Sequence, residues 1–410
     1  MSRTTLIQHA RLVLPDQVID DGSLLIENDT IASVCPGSDT ADEHVDARGR
    51  VLMPGMIDLH SDAIESEIEP RPGVMLPTPF AIQQIDRSSA ALGLTTVYHS
   101  LSFSGKELGL RNDQLAANVA RAVRAYAQMP NPCIDNRVHA RYEVTNDAAI
   151  SVLQELLAED VLSLLSLMDH TPGQGQFQTM ESYHNYLAKR YAYDNEALGT
   201  VIAEKLNAAD GAWERASQLV EAAKRHNVSL ASHDDDSASR VRMMVDLGVS
   251  LCEFPINPEA GEAIKEVGEH ALVGSPNVFR GGSQSSGMRA IDAIGAGHAD
   301  CLCSDYVPGT MLPAVWRVCE ELGYTLPEAV RLVTLNPAEA VDLHDRGRLA
   351  PGLRADLLLV NDDGEYPVVT HTWSKGRRTF RSVECWRDHS RTHPPQDRPR
   401  HRHPLRRHPR

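Results

Sequence analysis

The chain has 410 residues, 42% hydrophobic and 23% charged, with a formal net charge of −16 at pH 7. That length and apolar content can bury a large core, which argues against a wholly disordered chain and fits two structural units or one large barrel with an appendage. No apolar run approaches the ~20 residues of a membrane-spanning helix, and the start, MSRTTLIQHARLVLPD, lacks a secretory h-region and a cleavage site. A soluble cytoplasmic protein without a membrane partner is expected, and a homo-oligomer is compatible with it. The charge is uneven. Residues 381–410 carry nine arginines against Glu384, Asp388 and Asp397, a local +6 that leaves −22 for the first 380 residues. So acidic a body repels nucleic acid, whose binding rests on neutralising phosphates. The seven cysteines form no CxxC pair and read as reduced thiols, mostly buried.

In chain order, residues 1–53 read as short strands: TLIQHARLVL, GSLLIENDTIASVC and ARGRVLMPG, separated by Pro15-Asp16, Asp21-Gly22, Asn28-Asp29 and Pro36-Gly37. Residues 54–345 alternate apolar runs with helical patterns such as NDQLAANVARAVRAYAQ and GAWERASQLVEAAKRH. The runs number eight: PGMIDLHSD, LTTVYHSLSF, RVHARYEV, VLSLLSLMDH, VSLASHDDD, VSLCEFPIN, ALVGSPN and ADCLCSDY. Strands alternating with helices indicate parallel βαβ units, and eight of them predict a (β/α)8 TIM-like barrel. No GxGxxG follows an early strand, which disfavours an open doubly wound sheet. Residues 346–380 return to the strand-rich pattern, so both termini are expected to form one small discontinuous β-sandwich domain. Residues 381–410, rich in Pro, Arg and His, cannot bury enough surface to offset chain entropy and are expected to be disordered.

Charged and imidazole groups fall at the carboxyl ends of the apolar runs, which in a barrel is the catalytic rim. The first run ends Asp58-Leu59-His60-Ser61-Asp62, where alternation puts His60 and Asp62 on one side, as a hydrogen-bonded pair or as donors to one cation. The third run places His139, Arg141 and Glu143 on one face, opposite Val138, Ala140 and Tyr142. That face reads as an ion ladder or as a carboxylate presented to cations. His170 ends the fourth run and His233 the fifth, while the eighth puts Cys301, Cys303 and Asp305 together. The two thiols read as interior packing groups rather than metal ligands.

The order His60/Asp62, Glu143, His170, His233, Asp305 resembles the amidohydrolase superfamily, whose barrels carry a binuclear metal centre. PGMIDLH carries the superfamily resemblance. Asp62 in place of the usual second histidine, with EPRPGV, DHTPGQGQ and NVFRGG, resembles a branch belonging to phosphonate catabolism by the carbon–phosphorus lyase pathway. The resemblance covers roughly residues 1–380. It implies a hydrolase that cleaves α-D-ribose 1-methylphosphonate 5-triphosphate, a phosphorylated sugar phosphonate, into the 5-phosphate and diphosphate.

It also implies two divalent metal ions: one on His60, Asp62 and Asp305, the other on His170 and His233, with Glu143 bridging. Asp62 favours manganese or iron over the zinc a second histidine would suit, though zinc stays open. Two cations lower the pKa of a water, and Asp305 is the implied catalytic base. Candidate phosphate-binding groups are Arg71, the loop Arg280-Gly281-Gly282-Ser283, and Lys189 and Arg190 in a rim segment, 171–195, that reads as a lid. Two alternatives remain at this point. A cyclic-amide hydrolase or deaminase would keep the metals but turn Arg71 and Arg280 away from the pocket. A silent scaffold would keep the fold alone.

Overall fold

The computed structural model describes residues 3–35, 40–105, 112–171, 173, 175, 203, 205–282 and 287–382. Five strands come first: β1 (Thr4–Val13), β2 (Val18–Glu27), β3 (Thr30–Val34), β4 (Glu43–Asp46) and β5 (Val51–Pro54). The eight apolar runs then supply β6 (Met56–Ser61), β7 (Leu94–Phe103), β8 (Asp135–Glu143), β9 (Leu164–Met168), β10 (Ser229–His233), β11 (Leu251–Glu253), β12 (His270–Gly274) and β13 (Cys301–Cys303). Strands β14 (Leu357–Asn361), β15 (Val368–Ser374) and β16 (Arg377–Arg381) complete the described chain.

Strands β6 to β13 form one sheet in strict sequence order, with every pairing parallel. The first and last strands meet through a parallel bridge between Ser61 and Asp305, so the sheet closes into the expected (β/α)8 barrel. Alternation sorts the side chains. On β8, Val138, Ala140 and Tyr142 join the large apolar cluster formed with the surrounding helices. The barrel interior is filled by Ile57, Leu59, Tyr98, Leu164, Ala231, Leu251, Leu272, Cys301 and Cys303, and closed at the amino-terminal end by Ala338, Ala340 and Val341. Interior layers of this kind make the barrel a packed core rather than a pore, and chemistry is left to the rim.

The two ends of the chain share a second eight-stranded sheet, in the order β16-β15-β14-β5-β1-β2-β3, with β4 also on β1. Most pairings are antiparallel, but β1 runs parallel to both β4 and β5. The sheet curls until Thr30 bridges Arg354, around a core that includes Leu24, Ile26, Leu52, Leu357, Leu359 and Trp373. The intervening Val51, Met53, Leu358 and Val360 face the barrel's helices instead. Charge joins the two units as well: Asp135, opening β8, accepts from Arg346 Nη1 at 2.7 Å and Arg354 Nη1 at 3.1 Å. No helix among the described residues is long and apolar enough to cross a membrane. The basic tail expected to be disordered lies, from residue 383, outside the described residues.

Candidate metal centre

Barrel closure builds half of the site. Asp62 N–H donates to the Asp305 carbonyl at 2.7 Å, and Asp305 N–H to the His60 carbonyl at 3.0 Å. The strand that begins the barrel is thereby locked to the one that ends it, and His60 Nε2 comes to 3.5 Å from Asp62 Oδ1. One ligand atom from each of His60, Asp62 and Asp305 lies within 4.8 Å of the other two. Asp305 has φ 53°, as Asp234 (57°) and Phe254 (54°) do just after β10 and β11. Backbone held in this left-handed region concentrates at functional sites, and here it turns the chain sharply at the rim. The Phe254 ring packs 5.0 Å from His60 and 5.2 Å from His233, an apolar wall between two imidazoles.

The second group is His170, His233 and Asp234, again with ligand atoms mutually within 4.8 Å. His170 Nε2 lies 3.5 Å from Asp234 Oδ2. His233 Nδ1 lies 3.2 Å from the same oxygen, but misaligned, so both buried atoms lack a hydrogen bond. Buried polar atoms are rarely left this way. Imidazole nitrogens and carboxylate oxygens suit a zinc-, manganese- or iron-type cation, and the donor set fits two such ions.

Each group has a carboxylate behind its histidine. Glu253, fully buried at the end of β11, accepts from His60 Nδ1 at 2.8 Å and from Ser166 Oγ at 2.6 Å. Glu143 accepts at 2.8 Å from His170 Nδ1, the ring nitrogen opposite the one facing Asp234. A carboxylate on the second ring nitrogen fixes the tautomer and orientation of a metal-binding histidine. The bridging position expected for Glu143 is therefore not the one it takes here. The short turn from β9 brings His170 in beside it, and Asp234 supplies the third donor.

The electrostatics follow from this crowding. Burial works against charge at His60, but Glu253 and Asp62 raise it to about 10; burial likewise opposes charge at His170, which Glu143 and Asp234 raise to about 9. Burial lowers His139 to about 3 despite Glu253 nearby. Asp305 is pushed up to about 6 by burial, with His60 and Arg141 pulling down and Asp62 pushing further up.

Among the described residues, two cationic side chains enter the site. Arg141, 8% exposed, donates through Nη1 to both Asp62 oxygens (3.2 and 3.3 Å) and through Nη2 to His233 Nε2 at 3.2 Å, so it spans the two donor groups. Lys205 Nζ sits 3.2 Å from Glu143 Oε1. The six expected metal residues thus converge on one rim. Arg280 lies at its margin, donating to the Tyr306 hydroxyl at 3.0 Å, next in chain to Asp305. Gly281 caps the helix Ser275–Arg280 at φ 77°, with Gly282 following in open space. Arg71 is exposed in the turn after the short helix Ala63–Ile68 that follows the first barrel strand, and none of its described contacts is to the six. Lys189, Arg190 and Ser283 lie outside the described residues.

Sequence reading did not assign Glu253, Asp234, Arg141 or Lys205 to the site. Glu253 ends the sixth apolar run, and Asp234 adjoins His233, so the strand-end rule that found the others reaches both. Lys205 arrives from beyond the long rim segment, where no periodicity points to it.

A profile of the amidohydrolase family matches residues 296–380. A solved structure, the Aspergillus niger ochratoxinase, shares the fold with a TM-score of 0.61 at 16% identity, over 92% of this chain and 95% of that one. Imidazolonepropionase from Rubrobacter xylanophilus is 24% identical over 84% of this chain and 86% of its own length. Among the relatives is also the α-D-ribose 1-methylphosphonate 5-triphosphate diphosphatase of Escherichia coli K12, 34% identical over 92% of this chain and the whole of the relative. The chain belongs to the amidohydrolase superfamily, in the family of that diphosphatase.

Proposed function

We propose that the protein hydrolyses α-D-ribose 1-methylphosphonate 5-triphosphate, releasing diphosphate and leaving the 5-phosphate. The observation that carries this reading is Arg141, a buried guanidinium between the two donor groups. A neutral amide offers such a cation no negative charge to pair with once metal ions hold Asp62 and His233. For a triphosphate it is an asset. Cations on Asp62 and His233 would compete for the acceptors Arg141 now uses, and its donors then turn to phosphoryl oxygens, which guanidinium matches bidentately. Full-length similarity to the Escherichia coli diphosphatase supports the same substrate class.

His60, Asp62 and Asp305 would hold one divalent cation, and His170, His233 and Asp234 the other, with Glu253 and Glu143 orienting the histidines. Bound there, the cations supply Lewis acidity and charge neutralisation to a phosphoryl centre. Asp305 takes the proton of the attacking water as its oxygen bonds to the phosphorus nearest the sugar. The bond from that phosphorus to the bridging oxygen breaks, and diphosphate leaves with the electron pair. Arg141 holds the equatorial oxygens, and Arg280 at the margin meets the departing phosphates, in keeping with phosphoryl transfer by positioning and charge stabilisation.

The test is diphosphate release by the manganese-loaded chain from a ribose 5-triphosphate, alongside turnover of cyclic amides and aminated heterocycles. The expected result is release of diphosphate, reduced ~10²–10³-fold in Arg141→Met as for loss of a charge-stabilising donor, with metal content unchanged. Turnover confined to the amide or amine substrates, unaffected by Arg141→Met, would overturn the proposal.

A further inference from the structure

At the end of the barrel opposite this centre, His270 opens β12, and Asp300 and Cys301 lie at the start of the adjacent β13. One ligand atom from each of the three lies within 4.8 Å of the other two. His270 Nδ1 is 2.7 Å from Asp300 Oδ2. Asp300 is held on three sides: its Oδ1 accepts from Ala271 N–H at 3.0 Å, its N–H donates to the Ala271 carbonyl at 3.1 Å, and its carbonyl accepts from Asn336 Nδ2 at 2.7 Å. The side chains of His270 and Asp300 are 24% and 40% exposed, whereas Cys301 is fully buried among the interior side chains. The cluster thus has an entry path on one side and a dry thiol on the other. Glu269 and Glu339 add negative potential around His270. The proposed reaction uses none of these groups.

We propose that His270, Asp300 and Cys301 form a third cation site, separate from the catalytic centre, which takes one borderline-soft divalent ion of the zinc or cobalt class. Imidazole, thiol and carboxylate from fixed neighbouring positions make a three-donor set that a water completes to four-coordination. The thiol selects against magnesium, calcium and manganese, which prefer oxygen. On binding, the Cys301 S–H gives its proton to solvent and a sulfur–metal bond forms; nothing is oxidised. The ion would tie the start of the seventh barrel strand to that of the eighth, at the end of the barrel given over to stability. The proposal stands apart from the catalytic reading, because the rim groups contain no thiol.

Cobalt(II) titration of the full-length chain tests it. The expected result is one cobalt per chain beyond those held at the rim, with a near-ultraviolet thiolate-to-cobalt charge-transfer band. Cys301→Ser should abolish the band, and His270→Gln, a change at a partly exposed strand start, should weaken binding at least tenfold if the serine variant fails to fold. Cys303→Ser, which alters a thiol at the other end of the same strand, should leave the band intact. Absence of the band in the parent chain, its persistence in Cys301→Ser, or binding unchanged in His270→Gln would overturn the proposal.

Discussion

At the amino-terminal end of the barrel, Asp135 is met by three guanidinium groups: Arg137 at 3.1 Å, Arg346 at 2.7 Å and Arg354 at 3.1 Å. Arg354 also reaches Asp356 at 3.0 Å, and Arg346 reaches Asp345 at 2.8 Å. At the carboxyl-terminal rim, Asp62, Glu143, Asp234, Glu253 and Asp305 crowd with four histidines, and among the described residues Arg141 and Lys205 bring permanent positive charge to them. Both ends bury ionisable groups. Around Asp135 each acid has an arginine and the charges cancel; at the rim, ligand atoms are in surplus. Burial of charge alone therefore does not mark a functional site. An uncompensated excess of imidazole and carboxylate does, because only cations relieve it.

The largest test of this contrast is Asp305→Asn, which should lower turnover ~10²–10⁴-fold, as expected for loss of a general base, with KM and the unfolding midpoint of the metal-free chain little changed. A defect confined to KM would remove Asp305 from proton transfer. Arg346→Met, at the paired end, should do the reverse: a loss of ~1–3 kcal/mol in denaturant unfolding, from the charge-assisted hydrogen bonds it makes to Asp135 and Asp345, with turnover per folded molecule unchanged. Glu253→Gln and Glu143→Ala should each weaken metal affinity ~10–100-fold by freeing a ligand histidine. Metal binding as tight as in the parent would deny those carboxylates an orienting role.

The smallest effect is in acid. Burial opposes charge at Asp135, but Arg137, Arg346 and Arg354 hold it well below its ordinary value of 3.8. A depressed carboxyl adds stability above its unfolded pKa, near pH 4, and loses it as the pH falls further. Arg346→Met narrows that gap, so its acid-unfolding midpoint, followed by circular dichroism, should move to higher pH. An unmoved midpoint would mean that Arg346 does not stabilise the ionised carboxylate.

The barrel was legible because its strands are buried apolar runs whose polar residues are confined to their ends, and all eight runs became strands in order. The same rule located His60, Asp62, Glu143, His170, His233 and Asp305. It did not say which atoms meet. Glu143 and Asp234 both belong to the rim, and which of them faces which nitrogen of His170 depends on the turn after Met168, not on alternation. The parallel pairing of β1 with β4 and β5 was equally hidden, since local turn residues report hairpins and say nothing of strands joined across distance. Arg141 was visible on its face of β8, yet its place between Asp62 and His233 came only with barrel closure.

The proposed reaction needs one cation on each of the two donor groups. Manganese content of the full-length chain, measured after reconstitution and removal of free metal, tests that directly, because manganese disfavours the thiol cluster at the other end. Two ions per chain are predicted, falling to one in Asp62→Ala and to one in His233→Ala. A single ion in the parent chain, or two retained in both variants, would contradict it.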